Sequence, residues 1–290
     1  LLGHKPKLID SEKKSYGINF ENLKRRTTKN TKAVLLVHPS GQSVKMKKIV
    51  NFLKKKKIYL IEDCSQAHGA KCFGCKGCSC KKKVGTFGDI AAFSTMYKKT
   101  HATGSTGGVV FTKNRKLHLK ALAYADRGKP IWKGKVVSKN PKKYLFPSYN
   151  INSNEFSCAI GISSLNRINK TIRKRINLFK YLKNKFKKYS KFCEPAEFTK
   201  FDSPFFIPVY FKETKIVQKK KFANMLMAEG VPCNDHYNYL VSEWPWIKRY
   251  LKDNYKTINA EEILNNSFNV YINENYSYKN IDDMIYAVQK

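Results

Sequence analysis

The sequence predicts an α/β fold, a mostly parallel sheet with helices on both faces, followed by a smaller α+β domain. Three observations carry that expectation. Continuous apolar runs at 33–38 and 58–61 flank a stretch, 46–56, in which Met46, Ile49, Val50 and Leu53 recur at helical spacing. A carboxylate, Asp63, stands just past the second run, and open α/β sheets gather ligand groups at the carboxyl ends of their strands. The length of 290 residues, 42% of them hydrophobic, supplies one large core or two modest ones.

Taken in order, residues 7–10 read as a strand end and 19–26 as a short helix. The run at 33–38 is apolar throughout, as in a parallel strand buried on both faces. Pro39-Ser40-Gly41-Gln42 breaks it before the 46–56 helix, and His38 and Gly41 read as structural. The rest of the chain is organised around 61–108. That stretch opens Glu62-Asp63-Cys64-Ser65-Gln66-Ala67-His68-Gly69 and continues through Gly88-Asp89 to Ser94. It then passes Lys98-Lys99 and closes on Gly107-Gly108, at the entry to a 109–111 strand. Residues 113–125 read as a helix and 129–143 as a basic surface loop. Tyr149-Asn150-Ile151-Asn152 precedes a helix at 156–165; turn or N-cap roles would account for these Asn side chains without a ligand. A long basic helix, 165–189, leads to strands at 205–210 and 269–272 and helices at 217–229 and 281–289, with Gly230 as a C-cap. The domain division is 1–164 and 165–290.

A Lys can form a Schiff base with a carbonyl cofactor such as pyridoxal phosphate (PLP). Enzymes that use it pair the Lys with an acid that keeps the pyridine nitrogen protonated. Ser and backbone N–H groups beside glycines can hold the phosphate. On Asp63, Gln66, His68-Gly69, Gly88-Asp89, Ser94, Lys99 and Gly107-Gly108, the chain resembles the DegT-type, PLP-dependent nucleotide-sugar aminotransferases, a fold-type I family. Their signature runs acid-x-x-Gln-x-His-Gly, then Gly-Asp-x-x-x-x-Ser, then a Lys five residues past that Ser, then a Gly-Gly strand entry. The resemblance implies that Asp63 meets the pyridine nitrogen and Gln66 lies on the ring-hydroxyl side. It makes Ser94 a phosphate ligand and Lys99 the Schiff-base lysine. It also implies a homodimer in which Asn150 reaches the neighbouring subunit's phosphate; Asn152 stands where the family has Arg. Residues 231–237 resemble a family segment ending near substrate, so His236 and Tyr237 are candidate substrate contacts, with a structural role as the alternative.

The implied reaction moves an amino group, from glutamate in most relatives, to a keto-sugar nucleotide, for a surface glycan or a glycosylated metabolite. Two other readings stay open. One branch of the family dehydrates its substrate and has His in place of the Schiff-base lysine; Lys99 argues against it. The other is a truncated or non-catalytic chain acting as a binding protein. Family members carry an upstream segment with no counterpart here, so the chain reads as the C-terminal part of such an enzyme.

Net charge is +36, from 57 Lys and Arg against 21 Asp and Glu. Such an excess fits a nucleic-acid surface. Here it is spread over short runs at 54–57, 81–83, 187–188 and 219–221, with no zinc-finger spacing or aromatic RNA-binding motif beside them. It reads as compositional bias first, as a field that draws in an anionic diphosphate second, and as no more than a non-specific nucleic-acid surface third. Cys72, Cys75, Cys78 and Cys80 crowd one loop, and clustered thiols can bind zinc or an iron–sulfur cluster. Their spacing is not a standard zinc pattern, so no metal is assigned. Cys64, Cys158, Cys193 and Cys233 read as buried or half-buried. No run of 18 apolar residues predicts a membrane span, and no signal pattern opens the chain, so the expected location is cytoplasmic.

Overall fold

The apolar runs of the first half become neighbouring strands of one sheet. In a computed structural model, residues 3–72, 82–189, 191–212, 216–235, 240–251 and 253–290 are described. Helix α1 (Phe20–Arg26) starts at Asn19, whose side chain accepts the Asn22 N–H, and it ends in basic residues that suit a helix C-terminus. Strand β1 (Ala33–Val37), helix α2 (Met46–Lys55) and strand β2 (Tyr59–Asp63) follow, then β3 (Ile90–Ser94) and β4 (Gly108–Phe111). The sheet order is β1-β2-β3-β4. The first three strands are parallel and β4 returns antiparallel to β3. Register places Val37 beside Asp63, Asp63 beside Ala92, and Ser94 beside Gly108.

Helix α2 buries Met46, Ile49 and Leu53 against Val34, Leu36 and Leu60, with Leu23 of α1 in the same core. Because α1 and α2 pack on that side, strand side chains of opposite parity point away from it. Leu35 remains 63% exposed and Tyr59 62%. The 33–38 run, read as buried on both faces, is buried on one among the described residues. Asp63 shares its parity with Tyr59 and Ile61, so it projects from the less covered face.

Helix α3 (Arg115–Ala125) is capped by Asn114, and the predicted loop at 129–143 contains a short helix, α4 (Lys135–Lys139). The two helices predicted on either side of residue 165 are one, α5 (Glu155–Phe186), of 32 residues and about 48 Å. Asn154 caps it, and the expected division between residues 164 and 165 falls inside it. Cys158, expected to be at least half-buried, is exposed on its first turns. The C-terminal half of α5 packs Leu178, Phe179, Leu182 and Phe186 onto a second, antiparallel sheet. That sheet is built from β5 (Cys193–Pro195), β6 (Ile207–Phe211), β7 (Cys233–Asn234) and β8 (Ser267–Val270), in the order β5-β6-β8-β7. Helices α6 (Ile216–Ala228), α7 (Ile258–Asn266) and α8 (Tyr278–Gln289) accompany it. Residues 7–10, read as a strand end, form no strand; Asp10 instead accepts the Asn259 and Ala260 N–H groups.

A backbone crossing ties the two sheets together. The turn after β1 puts Ser40 at φ 53 and Gly41 at φ 91. Ser203 N–H donates to Gly41 O and Phe205 N–H to Ser40 O, each at 2.9 Å. A Cβ on Gly41 would lie 1.8 Å from Ser203 O, so the approach requires glycine both for its φ and for its bareness. Gly41→Ala is expected to cost about 3 kcal/mol or more, read as a lowered urea midpoint. An unchanged midpoint would show that the crossing yields without loss.

Candidate active site

The foundation of the site is a buried charge. Glu62, on the packed face of β2, is fully buried, as is His38 at the end of β1. Glu62 Oε1 accepts the Phe87 and Gly88 N–H groups at 2.8 and 2.6 Å. Its Oε2 accepts the Gly85 N–H at 2.8 Å and faces His38 Nε2 at 3.1 Å. Because His38 Nδ1 accepts the Val44 N–H at 3.3 Å, Nε2 is the nitrogen that donates to Glu62. Burial alone would raise the Glu62 pKa, but the His38 bond and the Gly88 and Gly85 N–H groups outweigh it and hold the carboxyl below its ordinary value. Cys64 Sγ lies close to this pair. Burial and then the nearby Glu62 and Asp63 charges push its thiol up. Four donors already fill the Glu62 acceptor sites, so the trio forms a structural anchor and not a metal centre.

One residue on, Asp63 projects from the other face. Its Oδ1 accepts the Ser65 N–H at 2.9 Å, which turns the chain at the strand end. Gln66 Oε1 accepts the Ser40 N–H at 2.7 Å, so the β1 turn holds the Gln66 side chain. Ser94 ends β3, two positions beyond Asp63's partner Ala92. Its Oγ lies 3.4 Å from the Met96 N–H. A tight turn follows, in which Lys99 N–H donates to Met96 O and Thr95 N–H to Gly107 O.

Lys99 is half-buried, whereas its neighbour Lys98 is exposed and lies over the Tyr97 ring. Lys99 Nζ sits 4.5 Å from the centroid of the Phe205 ring. Burial pulls the Lys99 pKa below the usual lysine value, and the Asp63 carboxylate pulls it back up. A lysine whose pKa is lowered by burial and which lies near a carboxylate has the balance a carbonyl-binding amine needs. Buried His68 lies nearby, with its pKa pushed down to about 4 by burial, then by His101, Lys99 and Arg175, against a Ser94 backbone contact that raises it. Arg175, from α5, is also buried; it reaches Thr100 Oγ1 at 3.4 Å and is held by Glu274 Oε2 at 2.7 and 2.9 Å.

The structure thus gathers Asp63, Gln66, Ser94 and Lys99 around the carboxyl ends of β2 and β3. Asn150 lies elsewhere, exposed on the surface, where its Oδ1 accepts from Asn152 Nδ2 at 3.3 Å and its backbone bridges to Asp126. His236 and Tyr237 fall outside the described residues, as do Cys75, Cys78 and Cys80. Cys72 is described and buried. Phe205, Arg175 and Ser40 were not singled out in the sequence, because no local spacing ties any of them to Lys99 or Gln66. A basic cleft of about 520 Å³, lined by Lys54, Lys57, Lys82 and Lys113, opens elsewhere, between α2 and the loop before β3, and contains none of the site residues.

A profile of the DegT/DnrJ/EryC1/StrS aminotransferase family matches residues 1–289. GDP-perosamine synthase of Escherichia coli O157:H7 is 31% identical over 187 residues, 63% of this chain and 46% of the relative. GDP-4-keto-6-deoxy-D-mannose 3-dehydratase of Yersinia pseudotuberculosis is 26% identical over 243 residues, 78% of this chain and 58% of that protein. The chain thus spans about half the length of these curated relatives. An aminotransferase from Psychrobacter cryohalolentis superposes with a TM-score of 0.84 at 23% identity, over 99% of this chain and 75% of the other. No helix among the described residues is long and apolar enough to cross a membrane.

The Glu62 anchor has a pH signature. A carboxyl held below its ordinary value stabilises the fold above the unfolded value of about 4.3, and that stability is lost as pH falls through the folded pKa. Glu62→Gln is expected to lose about 1–3 kcal/mol at pH 7 and to show a shallower loss between pH 5 and pH 3 than the natural chain. Urea midpoints across that range check it; parallel profiles would remove Glu62 from this role.

Proposed function

Because the chain belongs to the DegT/DnrJ/EryC1/StrS aminotransferase family, we propose that it holds pyridoxal phosphate at Lys99 and transfers an amino group, from glutamate, to a keto-sugar nucleotide. The observation that carries this reading is the half-buried Lys99 ammonium acting electrostatically on Asp63 at the carboxyl ends of parallel strands. The donor set fits the cofactor: a lysine lowered by burial, a carboxylate for a pyridinium N–H, an amide and a hydroxyl. When bound, the cofactor supplies an electron sink for the donor and acceptor carbons.

Each residue then has a task. Asp63, oriented through Ser65 N–H, holds a proton on the ring nitrogen by a charge-assisted bond, about twice as strong as a neutral one. Gln66, fixed by Ser40, orients the hydroxyl side of the ring. Ser94 Oγ, with the neighbouring backbone N–H groups, binds phosphate. Lys99 Nζ would hold the cofactor at its aldehyde carbon, with loss of water, and as the free amine would carry protons between donor and acceptor carbons. The nucleotide end of the substrate is anionic, and the +36 charge draws it in. The relatives named as dehydratases raise a second reading. Lys99 remains at the position where that branch has His. The nearby His101 lies two residues past that position and is engaged with Ser164 Oγ at 3.2 Å and the His68 ring, so it does not replace the lysine.

The working unit is a homodimer, with Asn150 completing the neighbouring subunit's phosphate site. Residues near Asn150 in sequence carry exposed apolar side chains: Tyr149 at 73%, Ile151 at 68% and Phe156 at 84%. Such exposure on a strongly charged chain supports burial against a second copy. Light scattering in the presence of PLP is expected to report a dimer that Asn150→Ala weakens in PLP affinity. A monomer would count against the shared site.

Borohydride reduction of the PLP-loaded chain is expected to attach the cofactor to the peptide bearing Lys99, and prior incubation with glutamate to prevent it. Attachment at Lys98, or trapping that glutamate does not alter, would overturn the proposal.

A further inference from the structure

We propose that Phe205 is a positioning residue for Lys99: its ring face holds the free ammonium and favours the protonated amine. The inference rests on Lys99 being the reactive amine of the proposed site, and it assigns that amine a resting place. Lys99 Nζ lies 4.5 Å from the ring centroid, well inside the range in which an aromatic face attracts a cation.

The ring is not free to drift from the lysine. Phe205 N–H donates to Ser40 O at 2.9 Å, and Ser203 N–H donates to Gly41 O at the same distance. The adjacent Phe206 is buried and meets the Phe205 ring edge-on at 5.8 Å between centroids. Ser40 in turn donates its N–H to Gln66 Oε1, so one turn registers both Gln66 and Phe205. The loop before β6 therefore delivers a ring to the Lys99 side of the first sheet.

The other charges around Lys99 define what the ring adds. Asp63 faces it from β2 and favours the ammonium. His68, after β2, His101, in the Lys99 turn, and Arg175, from α5, are the other basic groups around this turn, and Arg175 lines a small cavity with Phe205; Glu274 neutralises Arg175 through two bonds to one oxygen. With Glu274 engaged by Arg175, Asp63 and the Phe205 face are left to attract a cation at Lys99. Once Lys99 is released in the amino-transfer cycle, an amine without a partner on that face would wander or stay neutral. Over the ring it stays charged and close to its reacting position.

The test uses the cofactor-free chain, so it does not depend on amino transfer. Formaldehyde and cyanoborohydride methylate only neutral amines, and mass spectrometry reads the labelling rate of each lysine against pH. Phe205→Leu keeps apolar bulk but removes the π face. Lys99 labelling is expected to quicken by about two- to fivefold below its pKa, while the exposed Lys139 is unchanged. Phe205→Trp, with a stronger face, is expected to slow it below the natural rate. If Phe205→Leu loses its thermal transition, the comparison of Phe205→Trp with the natural chain decides. Lys99 labelling at the natural rate in folded Phe205→Leu, or labelling by Phe205→Trp as fast as the natural chain, would overturn the assignment. Failure of borohydride trapping at Lys99 would sink the cofactor reading and leave this result standing.

Discussion

Glu62 carries a charge into the interior of the first sheet, and that charge has to be met. Three backbone N–H groups from residues 85–88 and His38 Nε2 meet it. A buried carboxylate with open acceptor sites would be costly, so the loop entering β3 has little freedom in where it runs. That loop delivers β3, and β3 ends in Ser94. His38 also fixes the turn after β1 through Val44, and that turn holds Gln66. The residues on the open face are thus set by a network on the packed face, one residue out of phase along the same strand.

Strand parity explains why two adjacent acids have opposite fates. Glu62 points into the α2 side and is locked by hydrogen bonds; Asp63 points to the less covered side and accepts the Ser65 N–H. One acid holds the architecture, and the other projects toward the proposed site. Lys99 lies between competing influences in the same way. Burial favours its neutral amine, whereas Asp63 favours the ammonium.

Long-range contacts finish the site. Arg175 reaches the Lys99 turn from the middle of α5 while bound to Glu274, beyond the last strand of the second sheet. The Gly41–Ser203 crossing brings Phe205 to the same place. The second sheet therefore contributes directly to the surroundings of Lys99, although the motif that marks the lysine lies wholly in the first.

Sequence alone determined the α/β alternation and the family, and it singled out four residues that the fold places at the sheet end. Those depend on local periodicity and fixed spacings: apolar runs at 33–38 and 58–61, Gln66 three residues after Asp63, Lys99 five after Ser94. Tertiary structure decided the rest. The 33–38 run looks buried on both faces because leucine and valine read alike wherever they point, and only the placement of α1 and α2 on one side exposes Leu35. Strand β3 was hidden inside the motif, and the 7–10 segment was drawn by its apolar pair while Asp10 serves as a cap for α7. Phe205 and Arg175 carry no mark in the chain, since their relation to Lys99 exists only after α5 and the loop before β6 have packed. Spacing along a strand or turn is fixed by covalent geometry, whereas contact between distant segments is fixed by packing, which no short pattern records.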